Sequence, residues 1–393
     1  MPNRVMGLRL GSGRRFVVAV GIATLLLGVA FASGQAAPAG QAGPTERPQL
    51  SEEVFKNVQL LKGIPVKEFM GTMGFFSASL GMNCVECHVE ESGGDWSRYA
   101  DETDLKRTAR RMMGMVNSLN QSMFGGRRVV SCYSCHRGVN RPQVIPDLAI
   151  QYGDAIIEEP DEILTQAAGA PAPDQIFDKY LQAIGGADRL ARITSFEAKG
   201  TYQGFDDYEK RPTEVYATAQ AQRTMIVHGA FGDSIWTYDG RNGWVAAPKE
   251  ATPVPVVPLT GGDLDGARVE AALAIPTRIK QLLVEWRTGD PAMIDDREVH
   301  VVQGKMATGG LPIKLYFDPM TGLLVRLVYY NQTPVGRIPT RIDYADYRDV
   351  SGIKMPFKWT VTWTDGRSII EIGSVQANVP VEARRFARPA PPV

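Results

Sequence analysis

Histidine and cysteine are scarce in this chain of 393 residues, four of each. Any site that needs several thiols or imidazoles must therefore use nearly all of them. An excess of one charge is also missing, since Lys plus Arg and Asp plus Glu both number 43. Neutralising phosphates takes a basic surplus, so nucleic acid is not the expected partner. Long apolar runs are absent apart from the stretch from Phe16 to Ala32, which excludes a polytopic membrane protein. No internal repeat at solenoid spacing occurs. What remains is an ordinary globular composition, 44% hydrophobic and 22% charged. At roughly 150 residues per domain, the length suits two or three domains.

The apolar stretch follows Arg4, Arg9, Arg14 and Arg15 and runs into small residues, the pattern of a secretory leader. Residues 1–36 are read as a signal peptide or an uncleaved anchor, and 37–50 as a tether rich in Gly, Ala, Gln and Pro. The expected location is periplasmic or exported. No cysteine near the leader is available to accept lipid. Beyond the tether, 51–150 holds every cysteine and half of the 14 methionines. Residues 151–173 read as a linker, and 174–393 as a cysteine-free second domain.

The cysteines form two identical patterns, Cys84-Val85-Glu86-Cys87-His88 and Cys132-Tyr133-Ser134-Cys135-His136. Both are C-x-x-C-H, and together they use two of the four histidines. Two thiols at this spacing add to the two vinyl groups of one haem, and the adjoining imidazole reaches the iron from the same turn. The expected cofactors are two covalently bound haem c groups, held by Cys84, Cys87 and His88 and by Cys132, Cys135 and His136. Competing chemistries fit less well. Paired C-x-x-C zinc ligands usually lie about 15–20 residues apart, much closer than Cys87 and Cys132. A thioredoxin-like dithiol needs a preceding strand and a βαβ frame, which the pattern lacks. Two structural disulfides are the plain alternative for an exported chain.

A histidine-bound haem needs a sixth ligand for electron transfer, or an open position for peroxide chemistry. Methionine is the abundant candidate. The spacing predicts a helix from about Pro65 to Gly81 carrying Met70 and Met73. A second helix is expected over 104–124, with Leu105, Ala109, Met112, Val116, Leu119 and Met123 on one face and Gly125-Gly126 ending it. Met70 and Met112 are the preferred iron ligands, with Met73 and Met115 one turn further along. His228 and His300 sit on strand-like segments and read as structural, although either could in principle supply a second imidazole.

The words Phe69-Met70 through Leu80-Gly81-Met82-Asn83-Cys84, Ala109-Arg110-Arg111-Met112 with Met115 and Asn117, and Cys132 through Gly138 resemble the cytochrome subunit of photosynthetic reaction centres. The resemblance covers about 53–146. It implies a helix with a methionine ligand ahead of each C-x-x-C-H, with Met70 and Met112 in that role, and single-electron transfer as the activity. The better-known subunits have four haem motifs and a lipid-bearing cysteine, whereas this chain has two motifs and no such cysteine.

From Asp174 a short helical pattern (Ile176, Tyr180, Leu181, Ile184) gives way to strands. Phe357, Trp359, Val361 and Trp363 alternate with polar residues, and Asp365-Gly366 is read as the hairpin turn that follows. Further hairpins are expected at Asp239-Gly240 and Asp318–Gly322, and a helical stretch at 264–286. The words Tyr238 through Trp244 and Phe317 through Leu324 resemble the half-open antiparallel barrels of outer-membrane lipoprotein-sorting proteins, which implies a scaffold or a lipid or acyl ligand. No catalytic residue set appears. The fold expectation is a mainly α-helical dihaem cytochrome c domain followed by an antiparallel β half-barrel domain with helices.

The expected function is that of an exported dihaem cytochrome, not an enzyme. It would pass single electrons between redox protein partners, which could include a membrane-bound electron-transfer complex. A dihaem peroxidase and a lipid-binding half-barrel carrier with haem as sensor are the alternatives. Charge is segregated around the motifs. Seven acids fall between Glu86 and Asp104, and eight bases with no acid between Leu105 and Arg141. Basic surroundings favour the reduced state, so the higher potential is expected at His136.

Overall fold

A computed structural model describes residues 46–146, 159–205 and 208–392. The leader and most of the tether lie outside the described residues. In the haem-motif region the regular elements are helices: α1 (Ser51–Val54), α2 (Val66–Leu80), α3 (Cys84–Cys87), α4 (Asp104–Phe124) and α5 (Cys132–His136). Pro65 precedes α2, and Gly81 ends it in the left-handed conformation at φ 63°. Thr103 caps α4 by accepting the Lys106 N–H at 3.1 Å. Gly125 ends α4, again left-handed. The bounds read from periodicity and breakers hold for both long helices.

The larger part of the chain is one antiparallel sheet. Its first strands are β1 (Ser195–Gln203), β2 (Arg211–Thr218), β3 (Gln222–Gly229), β4 (Gly232–Tyr238), β5 (Gly243–Ala246) and β6 (Val256–Pro258). After two helices come β7 (Val284–Thr288), β8 (Ala292–Ile294), β9 (Arg297–Lys305), β10 (Ile313–Phe317) and β11 (Leu324–Gln332). The last three are β12 (Arg337–Val350), β13 (Ile353–Trp363) and β14 (Gly366–Ala377). The spatial order is β6-β5-β4-β3-β2-β1-β14-β13-β12-β11-β10-β9-β7, with β8 paired to β9. Both ends of this path are open. The edge strand β6 is short and sits among Pro253, Pro255 and Pro258, while β7 breaks register with β9 between Val284 and Arg287.

Helices α6 (Pro173–Ala183), α8 (Gly261–Ala274) and α9 (Ile279–Leu282) cover one face of the sheet; the short α7 (Ala187–Leu190) leads into β1. The main core joins Phe177 and Tyr180 of α6 and Val269 of α8 to Val215, Leu315, Phe317, Leu327 and Ile370 of the strands. Strand β10 is buried on both faces: Ile313, Leu315 and Phe317 face this core, and Tyr316 joins a smaller cluster on the other side.

Three expectations are corrected in detail. The helical stretch expected at 264–286 stops at Ala274, because Pro276 forces Ile275 out of the helical region; Val284–Thr288 is a strand. Trp363 pairs with Gly366, so the β13–β14 turn is Thr364-Asp365, one residue earlier than the Asp365-Gly366 reading. Part of the stretch read as a linker is tied down on the outer face of the sheet. Gln303 pairs with both backbone groups of Ile163, at 2.7 and 3.1 Å, and the buried Lys314 ammonium donates to Glu159 at 2.7 Å.

The described residues from 46 onward form one compact unit. The haem-motif region meets the β11–β12 connection through a cluster of Leu61, Phe75, Met113 and Val335, with Met73 and Cys132 packed against it. Arg128 also donates to the Thr333 carbonyl.

Candidate haem-binding site

Each C-x-x-C turn is pre-shaped by its own residues. In the first, Asn83 accepts the Glu86 N–H at 3.1 Å and Glu86 accepts the Asn83 N–H at 2.6 Å, closing a capping box around Cys84 and Cys87. In the second, Ser134 Oγ accepts the Ser131 N–H at 3.0 Å, and Arg137 and Gly138 turn the chain left-handed behind His136. Each motif leaves one thiol exposed and the other half-buried: Cys84 and Cys135 against Cys87 and Cys132. Burial pushes the Cys87 and Cys132 thiols up, the opposite of what an activated redox dithiol needs. Among the described residues no three of His, Cys, Asp or Glu gather into a metal cluster, so the two pairs stand apart rather than sharing one zinc-type site.

The histidines repeat one geometry. His88 Nδ1 lies 3.1 Å from the Tyr99 carbonyl, and His136 Nδ1 lies 3.1 Å from the Val139 carbonyl. A carbonyl can only accept, so in each ring Nδ1 carries the hydrogen, and in a neutral imidazole of this tautomer Nε2 keeps its lone pair. This is the arrangement that orients a metal-binding imidazole. Burial pushes the His88 imidazole down, with the Lys106 charge adding to the effect, which keeps the ring in the neutral form a metal requires. Tyr99 also stands edge-on to His88, ring centroids 4.8 Å apart.

The methionines divide. On α4, Met113 is 7% exposed and belongs to the inner cluster, whereas Met112 is 38% and Met115 46% exposed. Of the stripe read as one face, Leu105, Met112, Leu119 and Met123 point outward while Val116 is buried, and the buried face consists of Met113, Val116 and Asn120. With Val85, Val129, Tyr133 and Val139 also exposed, this region bares apolar surface around both motifs. Met73 is packed against the inner cluster, and Met70 is half-buried on α2. The C-terminus of α2 rests on the second motif: the Gly138 N–H donates to the Ser79 carbonyl at 2.9 Å.

Three contributors went unread in the sequence. Asn120 accepts the N–H groups of Val129 and Val130 at 3.0 and 2.9 Å and donates to the Val130 carbonyl at 2.8 Å, fixing the approach to the second motif. Thr103 donates to the Cys87 carbonyl at 2.6 Å. Lys106 donates to the Tyr99 carbonyl at 2.8 Å. An Asn within a helix and a Thr at an N-cap are visible signals, but their partners are backbone groups that spacing does not reveal. The other two histidines stay with the sheet: His228 Nδ1 is 2.9 Å from Asp233, and His300 lines a recess with Lys179 and Asp318.

Comparison with known proteins agrees with the resemblance drawn from the sequence. Residues 20–181 match the family described as the photosynthetic reaction centre cytochrome C subunit. The photosynthetic reaction center cytochrome c subunit of Roseobacter denitrificans is 28% identical over 159 residues, 37% of this chain and 42% of that protein. The corresponding subunit of Thermochromatium tepidum is 36% identical over 92 residues, 22% of each chain. The chain thus spans less than half the length of these relatives. Among solved structures, a DUF1329 family protein from Desulfovibrio piger overlaps 56% of this chain and 98% of its own, at 11% identity and a TM-score of 0.39. A LolA superfamily protein from Nitrosomonas europaea overlaps 56% of this chain and 98% of its own, at 13% identity and a TM-score of 0.37. The segment that carries the two C-x-x-C-H motifs is related to the photosynthetic reaction centre cytochrome c subunits.

Proposed function

We propose that this chain is an exported dihaem c-type cytochrome that passes single electrons between protein partners. The observation that carries the reading is the paired imidazole geometry, with both Nδ1 atoms committed to backbone carbonyls and both Nε2 atoms free beside a C-x-x-C turn. Each bound haem would supply a one-electron couple. Cys84 and Cys87 would hold one haem and Cys132 and Cys135 the other, with His88 and His136 supplying an imidazole to each iron. Met70 is the preferred sixth ligand of its helix because Met73 is already engaged in packing. Met112 keeps that role on α4, where the exposed face leaves its thioether free. Methionine on both irons opposes the peroxidase alternative, which needs an open position.

Intact mass and a reduced-minus-oxidised spectrum test this together. Two haem increments and a methionine-to-iron absorption band are expected, with the band weakened in Met70→Ala and in Met112→Ala and lost in the double variant. A single increment, or a band unmoved by both changes, overturns the assignment.

The sheet is read as a scaffold. Its concave side, under α8, keeps a cavity of about 80 Å³ lined by Met225, Tyr344, Trp359 and Val361, with Arg223 and Glu270 paired at 3.4 Å. An acyl chain seated here would have to cover that ion pair without satisfying it, which is costly. Solvent extraction of purified protein followed by mass spectrometry should yield no stoichiometric lipid; one acyl ligand per chain would overturn the scaffold reading.

A further inference from the structure

The Tyr99 carbonyl accepts two donors: His88 Nδ1 at 3.1 Å and Lys106 Nζ at 2.8 Å. The same ammonium donates to the Asp101 carbonyl at 2.6 Å. Its bonds are thus to neutral carbonyls. The next two cations of α4 are neutralised, Arg107 by Asp104 and Arg110 by a two-pronged pair with Glu102 at 2.9 and 2.8 Å. Asp101 for its part is paired with Arg98 at 2.9 Å. Lys106 therefore brings a half-buried positive charge with no direct carboxylate partner to the back of the His88 ring, offset only at longer range by Glu102 and Asp101. At the other motif the Val139 carbonyl takes His136 Nδ1, and among the described residues no lysine shares it.

We propose that Lys106 is a positioning residue that raises the reduction potential of the iron ligated by His88, acting through the shared Tyr99 carbonyl. The inference rests on the reading of His88 as an axial ligand. Two effects act in the same direction. An ammonium drawing on the carbonyl's electron density weakens the Nδ1–H···O bond, so the imidazole donates less charge through Nε2 and stabilises the ferric state less. Its positive charge also favours the added electron through a partly desolvated path. Glu86, Glu90 and Glu91 lie in and just after the first motif and oppose this, which makes the lysine the local counterweight.

The test is a potentiometric titration of the full-length dihaem protein, read by absorption, for the natural chain, Lys106→Met and Lys106→Arg. In Lys106→Met one of the two components should move down. Poised at that component's natural midpoint, the reduced-to-oxidised ratio should fall about tenfold, equivalent to ~59 mV for one electron. Lys106→Arg should restore most of the shift, because it keeps the charge and a donor. Assignment of the moved component uses Cys132→Ala/Cys135→Ala, which leaves only the His88 haem. If neither component moves while both haems are attached, or if both move equally, the proposal is wrong. Lys106→Gln, which keeps a donor but no charge, is the second variant should Lys106→Met misfold, and it must also lower the His88 component. Loss of a haem increment from the natural chain would instead defeat the underlying ligand reading, so the two failures are distinguishable.

Discussion

Replacing Cys84, Cys87, Cys132 and Cys135 together by alanine is expected to remove the share of the helical circular-dichroism signal that comes from α1 to α5, while the β signal and that of α6 to α9 survive. Helix α4 has 21 residues but buries only Met113, Val116 and Asn120. Leu105, Met112, Met115, Leu119 and Met123 are left at the surface. Fully burying an apolar side chain contributes about 1.5–3 kcal/mol, so even half-covering these five is worth about 4–8 kcal/mol. That is comparable to the whole net stability of a typical domain, about 5–15 kcal/mol. The sheet has its own extensive core and draws no part of that core from the cysteine region. The segment from Glu159 onward should therefore fold alone, including the stretch tied to the sheet through Ile163 and Glu159. The reading fails if the four-alanine chain keeps its helical signal and binds no more of an apolar dye than the natural protein.

The second large effect is expected at Gly81. Its φ of 63° is a conformation that costs an L-residue roughly 1–2 kcal/mol. A Cβ there would also stand 2.2 Å from the Gly138 carbonyl oxygen, a backbone atom with no rotamer to yield. Relief would require pulling the end of α2 off the second motif and breaking the Gly138-to-Ser79 hydrogen bond. Gly81→Ala should thus destabilise the helical region by about 3 kcal/mol or more and reduce haem occupancy at His136. Gly94→Ala is the control, since nothing lies within 4 Å of its Cβ and its φ is ordinary. Equal haem content and thermal stability in the two variants would refute the packing argument.

The long helices and the main hairpins could be read from the sequence because the signals that set them are local. Pro65 and Gly81 bracket α2, Gly125 stops α4, and alternation marks β13. Which face of α4 would be buried was not local. Leu105, Met112, Leu119 and Met123 make up most of the regular stripe, yet Met113 takes the core because Phe75 and Val335 come to meet it from distant parts of the chain, and of the stripe only Val116 is buried. Charge reading failed for a related reason. Counting along the chain assigns Lys106, Arg107 and Arg110 to the second motif. In space Lys106 stands behind His88, and the two arginines are taken up by Asp104 and Glu102. The basic surplus left for His136 is therefore smaller than the eight bases suggest, and the difference in potential between the haems should be correspondingly narrow. The C-x-x-C-H turns were legible as chemistry, but the carbonyls that steer their imidazoles come from loops whose course depends on the tertiary fold.

An open sheet of this size invites growth, since each free edge is a row of backbone donors and acceptors that another copy could extend. Here both rows are spoiled. Pro258 has no hydrogen to offer, β6 is only three residues long, and β7 is interrupted where Glu285 takes a φ of 57°. A second molecule would find no continuous ladder to lengthen, so polymerisation through the sheet is disfavoured.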